Sequence, residues 1–220
     1  MRGLGQPTTT DECLVEEAIR YLPYVGSKVS RYEVVTVPAA SPIRRAVDAV
    51  GARVQSTTGD EWFVKAYYPD IKGLHNLEEV ADASDKAGAL GVAPKLIDAA
   101  PAHGALAFEL LGEDWHWGRL DELNSLAALK EQMALRKAIH NGPAFARERN
   151  IFEELYFYVD RARHSGVPVP PDFDWLINSV EDFAPALTSA RMASVPAHGD
   201  GASSNVMIND SGSMRLIDFD

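Results

Sequence analysis

The chain has 220 residues, 46% of them hydrophobic, and a formal net charge of −11, the composition of a globular protein with one sizeable domain or two lobes sharing a cleft. Met1–Thr10 lacks an apolar signal core, no later run approaches the roughly 18 apolar residues of a membrane span, and Cys13, the only cysteine, excludes an internal disulfide and a Cys-rich zinc site. The expectation is a soluble cytoplasmic protein with no membrane or nucleic-acid partner, because its acidity repels a phosphate backbone and draws in cationic small molecules.

Thr9 followed by Glu12 is a capping-box pattern. Leu14, Ala18, Ile19 and Leu22 extend it with helical spacing, which predicts a short amphipathic helix over 10–22. Strand-like text follows at Arg31–Val37, about Arg44–Gln55 and Glu61–Tyr68, with Thr58-Gly59-Asp60 as the turn before the last, so an antiparallel meander is expected. His75–Leu90 reads as a helix stopped by Gly91 and Pro94, and Lys95–Ala99 and Ala105–Leu110 as two further strands. Beyond Gly112 the period changes. Leu123, Leu126, Leu129, Met133 and Ile139 predict a long helix, Ile151–His164 another and Trp175–Ala190 a third, with Pro168, Pro170 and Pro171 as an extended connector. A sheet with one helix followed by a helical half places a joint near Leu111–Trp117, and such clefts are favoured ligand sites.

The last 25 residues hold the most polar chemistry. Val206–Ile208 and Met214–Ile217 are short apolar runs around Asn209-Asp-Ser-Gly-Ser213, the text of a β-hairpin. Asn205 and Asp218 flank that hairpin almost symmetrically. They should meet at its open end, where an amide oxygen and a carboxylate can share one hard cation such as Mg2+. Asp200 lies in a Gly-flanked loop five residues before Asn205, where a carboxylate can take a proton from a hydroxyl, and His198 can brace the loop through its ring nitrogens.

His198-Gly-Asp200, four residues, Asn205, a hairpin and then Ile217-Asp-Phe-Asp220 resembles the catalytic and metal-binding loops of the aminoglycoside phosphotransferase and choline kinase superfamily, and both intervals fit the protein-kinase pattern. The resemblance implies an α+β, protein-kinase-like two-lobe fold: an N-lobe over 1–111 with an antiparallel sheet and a helix, and a mainly helical C-lobe over 112–220 with a catalytic-loop hairpin. It implies an ATP-dependent small-molecule kinase. Asp200 would be the catalytic base, His198 a structural brace, and Asn205 and Asp218 the Mg2+ ligands. Lys65, in the apolar strand Trp62-Phe-Val-Lys-Ala-Tyr-Tyr68, would hold the α- and β-phosphates. Its acidic partner would come from Glu78, Glu79 or Asp82, with Glu79 favoured by the Gly91-Val-Ala-Pro94 segment behind it. Backbone groups near Glu109 and Leu111 would read the adenine edge, and Leu135-Arg-Lys-Ala-Ile-His140 resembles the family's helix ending in histidine.

Two departures stand out. Val37–Arg45, where the family covers the phosphates with a glycine-rich loop, contains no glycine, which leaves Ser41, Arg44 or Arg45 as side-chain contacts instead. Asp220 is the last residue, whereas family members continue with helices that complete the acceptor pocket, so a missing C-terminal part is expected. The acceptor is a small-molecule hydroxyl. Trp115 and Trp117 with Glu113, Asp114, Asp121 and Glu122 favour a cationic amino alcohol or aminoglycoside. Two rival readings are a pseudokinase that binds nucleotide without turnover, and a metal-dependent phosphatase using His198, Asp200, Asp218 and Asp220.

Overall fold

The computed structural model describes all residues except 36–47, 74, 149, 167, 191–192 and 220, and the side chains of 72 and 73. The glycine-free stretch Val37–Arg45, the first part of the expected second strand and Asp220 lie outside the described residues. No helix among the described residues is long and apolar enough to cross a membrane. By internal packing the chain forms two compact units, Met1–Ala146 with Pro196–Asp220, and Arg147–Val195.

The first unit begins with β1 (Arg2–Gly3) and α1 (Thr10–Tyr21). The capping box forms as expected: Glu12 N donates to Thr9 Oγ1 at 3.1 Å and Thr9 N donates back to Glu12 Oε2 at 3.1 Å. Backbone and hydroxyl donation from Thr8 holds the Glu12 carboxyl below its ordinary value. The strands β2 (Val29–Val35), β3 (Ala49–Ser56), β4 (Glu61–Tyr67), β5 (Leu96–Ala100) and β6 (Ala105–Glu109) join β1 in an antiparallel sheet of order β1-β2-β3-β4-β6-β5. Between β4 and β5 runs α2 (Leu77–Ala89), capped by the Asn76 side chain, which accepts from Glu78 N.

Alternation along the strands sends successive side chains to opposite faces, and both faces are covered. Val15, Ala18, Ile19 and Leu22 of α1 pack with Tyr32, Val54, Val64, Ala66 and Ala107 on one face. Leu77, Val80 and Ala81 of α2 pack with Tyr67 and Leu106 on the other. Lys65 has the parity of Tyr67, and its register partner is Leu106. It therefore stands on the α2 face, in a strand whose other residues after Glu61 are apolar or aromatic. At Gly51, opposite Lys65, an added Cβ would come within 2.7 Å of the Phe63 ring.

After β6 the same unit continues with β7 (Trp115–Trp117), α3 (Leu120–Leu123) and α4 (Leu126–His140), and resumes at Pro196 with β8 (Val206–Asn209) and β9 (Met214–Leu216). The strand β7 completes a small sheet of order β7-β8-β9, in the register Trp117↔Met207 and Ile208↔Met214. The single helix expected over 123–139 is two helices. Ser125 starts a new one, its hydroxyl accepting from Ala128 N at 3.1 Å. The apolar positions Leu126, Leu129 and Met133 lie on the exposed side, and the buried face is Ala128, Leu135 and Ile139. That face joins a core with Ala83 and Ala87 of α2, Val206 and Ile208 of β8, Met214 and Leu216 of β9, and Phe219. The second unit contains α5 (Ile151–His164) and α6 (Phe173–Ser189), which meet edge to face through Phe152 and Phe183 with ring centres 6.4 Å apart.

One buried carboxylate organises the N-terminal core. Glu16 of α1 is 8% exposed. It accepts from the hydroxyl of Tyr32, which is fully buried, at 2.9 Å, and from Gly5 N at 3.0 Å on each oxygen. Burial and then this bond push the Tyr32 phenol up to about 12. Glu16→Ala leaves two donors without a partner, and each such loss costs about 1–3 kcal/mol. At about 2–4 °C per kcal/mol for a chain of this size, the melting temperature should fall by several degrees. Exposed Glu17→Ala should move it by less than about 2 °C. Equal melting temperatures for the two variants would show that Glu16 has no such role.

Candidate active site

The β8–β9 hairpin is closed at its tip by Asn209, whose side-chain oxygen accepts from Ser211 N at 3.1 Å and Ser213 N at 2.9 Å. This is the self-bonding turn that Asn favours. Its open end is fastened twice. Ile217 N donates to Asn205 O at 3.0 Å, and Leu216 N donates to Val92 O at 2.8 Å, tying the hairpin to the turn after α2. The two ends of the motif, Asn205 and Asp218, are thereby brought to the same end of the hairpin, as the symmetry of the sequence predicts.

The His198 ring reaches across to this end. Its Nε2 lies 2.7 Å from the carbonyl oxygen of Ile217, so Nε2 is the donor, while Nδ1 faces the Asp200 amide at 3.4 Å. Between them Gly199 has φ +86°, a conformation that disfavours any side chain. The Asp200 carboxylate is oriented through both oxygens: Oδ1 accepts from Ala202 N at 2.9 Å and Oδ2 from Asn205 Nδ2 at 2.8 Å. Asp200 is exposed, and Asn205 is 7% exposed. A buried amide thus holds one face of a carboxylate whose other face meets solvent. Phe219, buried, stacks at a tilt on His198 with ring centres 4.4 Å apart and meets Phe145 edge to face at 6.5 Å.

Lys65 arrives from the large sheet. Its ammonium is in direct contact with the Asp218 carboxylate and lies 4.8 Å from the centre of the Tyr67 ring. The Lys65 side chain is 17% exposed and that of Asp218 42%. Asp218 has φ +71°, the only positive φ outside glycine among the described residues. Such a conformation costs a non-glycine residue of order 1 kcal/mol, least for Asp and Asn, and clusters at functional sites.

Among the acids of α2, Glu78 is exposed, Glu79 is half-buried and accepts from Asn76 Nδ2 at 2.7 Å, and Asp82 pairs with Lys86 and accepts from Ala146 N at 2.7 Å. Glu109 ends β6 with its amide donating to Lys95 O at 2.8 Å, and Leu111 follows just beyond. His140 is the last residue of α4 and is exposed. Trp115 and Trp117 lie on β7, and the Arg215 guanidinium covers Trp115 at 5.6 Å from its ring centre. That face is occupied from within the chain. The sequence reading missed Tyr67 beside Lys65, although its position two residues on along a strand signals a shared face. It also missed Phe219 as the brace of His198.

The donor set fits a magnesium ion. Asn205 and Asp218 offer hard oxygens, and no group of three or more His, Cys, Asp or Glu suited to a metal occurs among the described residues. Two protein ligands suit an ion that keeps waters and completes its shell with substrate phosphates, and do not form an all-protein cage.

The sequence model of the phosphotransferase enzyme family matches residues 40–220. The chain belongs to this family. No curated protein matches it. Among solved structures, it is similar to a choline/ethanolamine kinase family protein from Mesorhizobium loti (16% identity, TM-score 0.67, covering 96% of this chain and 64% of that one). It is also similar to the choline kinase LicA from Streptococcus pneumoniae (17%, 0.70, 96% and 69%) and to an amicoumacin kinase in complex with AMP-PNP, Ca2+ and Ami (13%, 0.57, 95% and 64%). At these identities the likeness is one of fold, and the α+β kinase-like fold is shared. The chain spans about two thirds of the length of these phosphotransferase-fold structures.

The left-handed backbone at Asp218 makes a prediction that separates conformation from charge. Asp218→Asn removes the charge but keeps a residue suited to φ > 0, whereas Asp218→Ala removes both. By chemical denaturation the alanine variant should be less stable than the asparagine variant by about 1–2 kcal/mol. Equal stability of the two would show that the backbone is unstrained.

Proposed function

We propose that the chain is the nucleotide- and phosphoryl-handling part of an ATP-dependent kinase that phosphorylates a hydroxyl of a small molecule. The observation that carries the reading is that Lys65, from a strand 153 residues away, meets Asp218 at the open end of the hairpin beside which Asp200 and Asn205 bond to each other. Family membership and the nucleotide-bound neighbours, LicA with AMP and the amicoumacin kinase with AMP-PNP, support it.

In this reading 1–111 is the N-lobe and 112–220 the C-lobe. Asp200 is the base: the acceptor hydroxyl gives its proton to the carboxylate as its oxygen attacks the γ-phosphorus, the bond to the β–γ bridging oxygen breaks, and ADP leaves. The exposed face of Asp200 is open to a hydroxyl, and the bonds from Ala202 N and Asn205 Nδ2 keep the carboxylate from rotating. Asn205 and Asp218 would hold Mg2+, which when bound neutralises charge on the phosphate oxygens. Lys65 pairs with the α- and β-phosphates, and Glu79, half-buried on α2, is the acid assigned to position it. Backbone groups around Glu109 and Leu111 read the adenine edge. His198 does no chemistry of its own; it holds the carbonyl of Ile217 and so the approach of Asp218.

The acceptor in this reading is a cationic amino alcohol or an aminoglycoside-like hydroxyl, favoured by the net charge of −11 and by neighbours named for choline, ethanolamine and amicoumacin. The phosphatase reading leaves Lys65 without a task. Retention of base, metal ligands and lysine together favours turnover over a pseudokinase.

Calorimetry with ATP and Mg2+ tests the site without knowledge of the acceptor. The chain should bind, Asp218→Ala should weaken binding at least about tenfold, and Asp200→Ala should bind nearly as the parent does. With choline, ethanolamine and aminoglycosides as trial acceptors, ADP release should fall by about 10²–10⁴ in Asp200→Ala. Undiminished turnover in that variant would sink the assignment of the base, and a folded chain that binds no ATP would sink the kinase reading itself.

A further inference from the structure

The backbone that carries the Asp218 carboxylate is anchored on both sides. The residue before it is held on both sides, Ile217 N by Asn205 O and Ile217 O by the His198 ring, and the residue after it, Phe219, is buried against that ring. Lys65 is fixed as firmly at its root, since β4 is paired along its length with β3 and β6. Contact between the ammonium and the carboxylate thus joins two separately anchored segments 153 residues apart in sequence. Nearby, Asp200 spends both oxygens on Ala202 N and Asn205 Nδ2. The one carboxylate assigned to metal is therefore already charge-neutralised in the chain by itself.

We infer that the Lys65–Asp218 ion pair is a self-blocking contact that keeps the metal site closed to a bare divalent cation and opens it when nucleotide phosphates draw the ammonium away. The inference rests on the reading of Asp218 as a metal ligand. A divalent ion approaching alone must displace a monovalent one from the same carboxylate, and it meets like-charge repulsion until it has done so. A polyphosphate offers the ammonium a stronger partner and brings its own oxygens to the cation. Metal and nucleotide then raise each other's affinity by the same factor, as linkage requires.

The test uses Mn2+ alone as the probe, followed by loss of the free-ion paramagnetic resonance signal, on the parent chain, Lys65→Met and Lys65→Gln. Both substitutions remove the competing charge, so bare Mn2+ should bind on the order of tenfold more tightly, equivalent to about 1.4 kcal/mol. ATP should bind more weakly to the same variants. These opposite signs are the signature, because a misfolded variant would lose both. Adding Asp218→Ala to Lys65→Met should abolish the gained Mn2+ affinity. Bare Mn2+ binding no tighter in either lysine variant would overturn the inference while leaving the kinase reading intact if Asp218→Ala still weakens ATP binding with Mg2+. Should Asp218→Ala leave that binding unchanged, the assignment of the metal ligand falls and the inference with it.

Discussion

The bond from the His198 ring to the carbonyl of Ile217, 2.7 Å long, fixes the geometry on which the rest of the candidate site depends. It joins the loop that carries Asp200 to the strand end that carries Asp218. The same peptide segment is tied to Asn205 through the Ile217 amide at 3.0 Å. Three candidate site residues, Asp200, Asn205 and Asp218, are thus referred to one short stretch of backbone. Because a backbone carbonyl is the acceptor, the bond is independent of the side chain at 217, and the histidine must present a ring N–H at that spot. The aromatic contact with Phe219 holds the ring there. A left-handed Asp218 then follows from the packing: with Ile217 held and Phe219 buried, the chain between them must turn sharply, and an Asp tolerates that turn better than most residues.

The second constraint is electrostatic. The chain is acidic, and three of its buried or half-buried carboxylates have partners within the fold. Glu16 has Tyr32 and Gly5 N, Asp82 has Lys86 and Ala146 N, and Asp98 caps the turn after α1 through Tyr24 N and Val25 N at 2.7 and 2.8 Å. These partners all lie within the chain. Lys65 with Asp218 differs in kind, because both residues are candidates for contact with a charged ligand. A pair of this sort, one member 42% exposed, adds little to stability. Its consequence lies in what has to be displaced before a cation or a phosphate can use either residue.

Much of this was legible in the sequence because it is local. The capping box at Thr9 and Glu12, the alternation that makes β4 a strand, and the near symmetry of Asn205 and Asp218 about the Asn209–Ser213 loop all depend on neighbours within a dozen residues. The arrangement of His198, Asp200 and Asn205 in one short loop is local for the same reason. What was not legible depends on contacts between distant segments. The apolar period through Leu126, Leu129 and Met133 suggested a buried stripe, but Ser125 restarts the helix and the buried face is set by where β8, β9 and α2 lie. Three-residue β7 has no strand signal of its own and exists because β8 is there to pair with it. Trp115 read as a ligand-facing ring, and Arg215, from the far strand of the same small sheet, takes one face of it.

The structure also divides labour between backbone and side chain in a way that suits phosphoryl transfer. In the proposed reading, the groups set before the reaction are the Asp200 carboxylate and the Asp218 backbone, which are held by amides, a carbonyl and a glycine turn. The charged group that exchanges partners in that reading is a lysine, a point charge on a flexible four-carbon stem with three rotatable donors. Its root is fixed in the centre of a six-stranded sheet while its tip can move between a carboxylate and a phosphate. An arginine at 65 would form a planar fork with Asp218 and exchange less readily, and a shorter residue would not reach. On that reading the task accounts for a lysine in a mostly apolar strand, a placement costly in isolation.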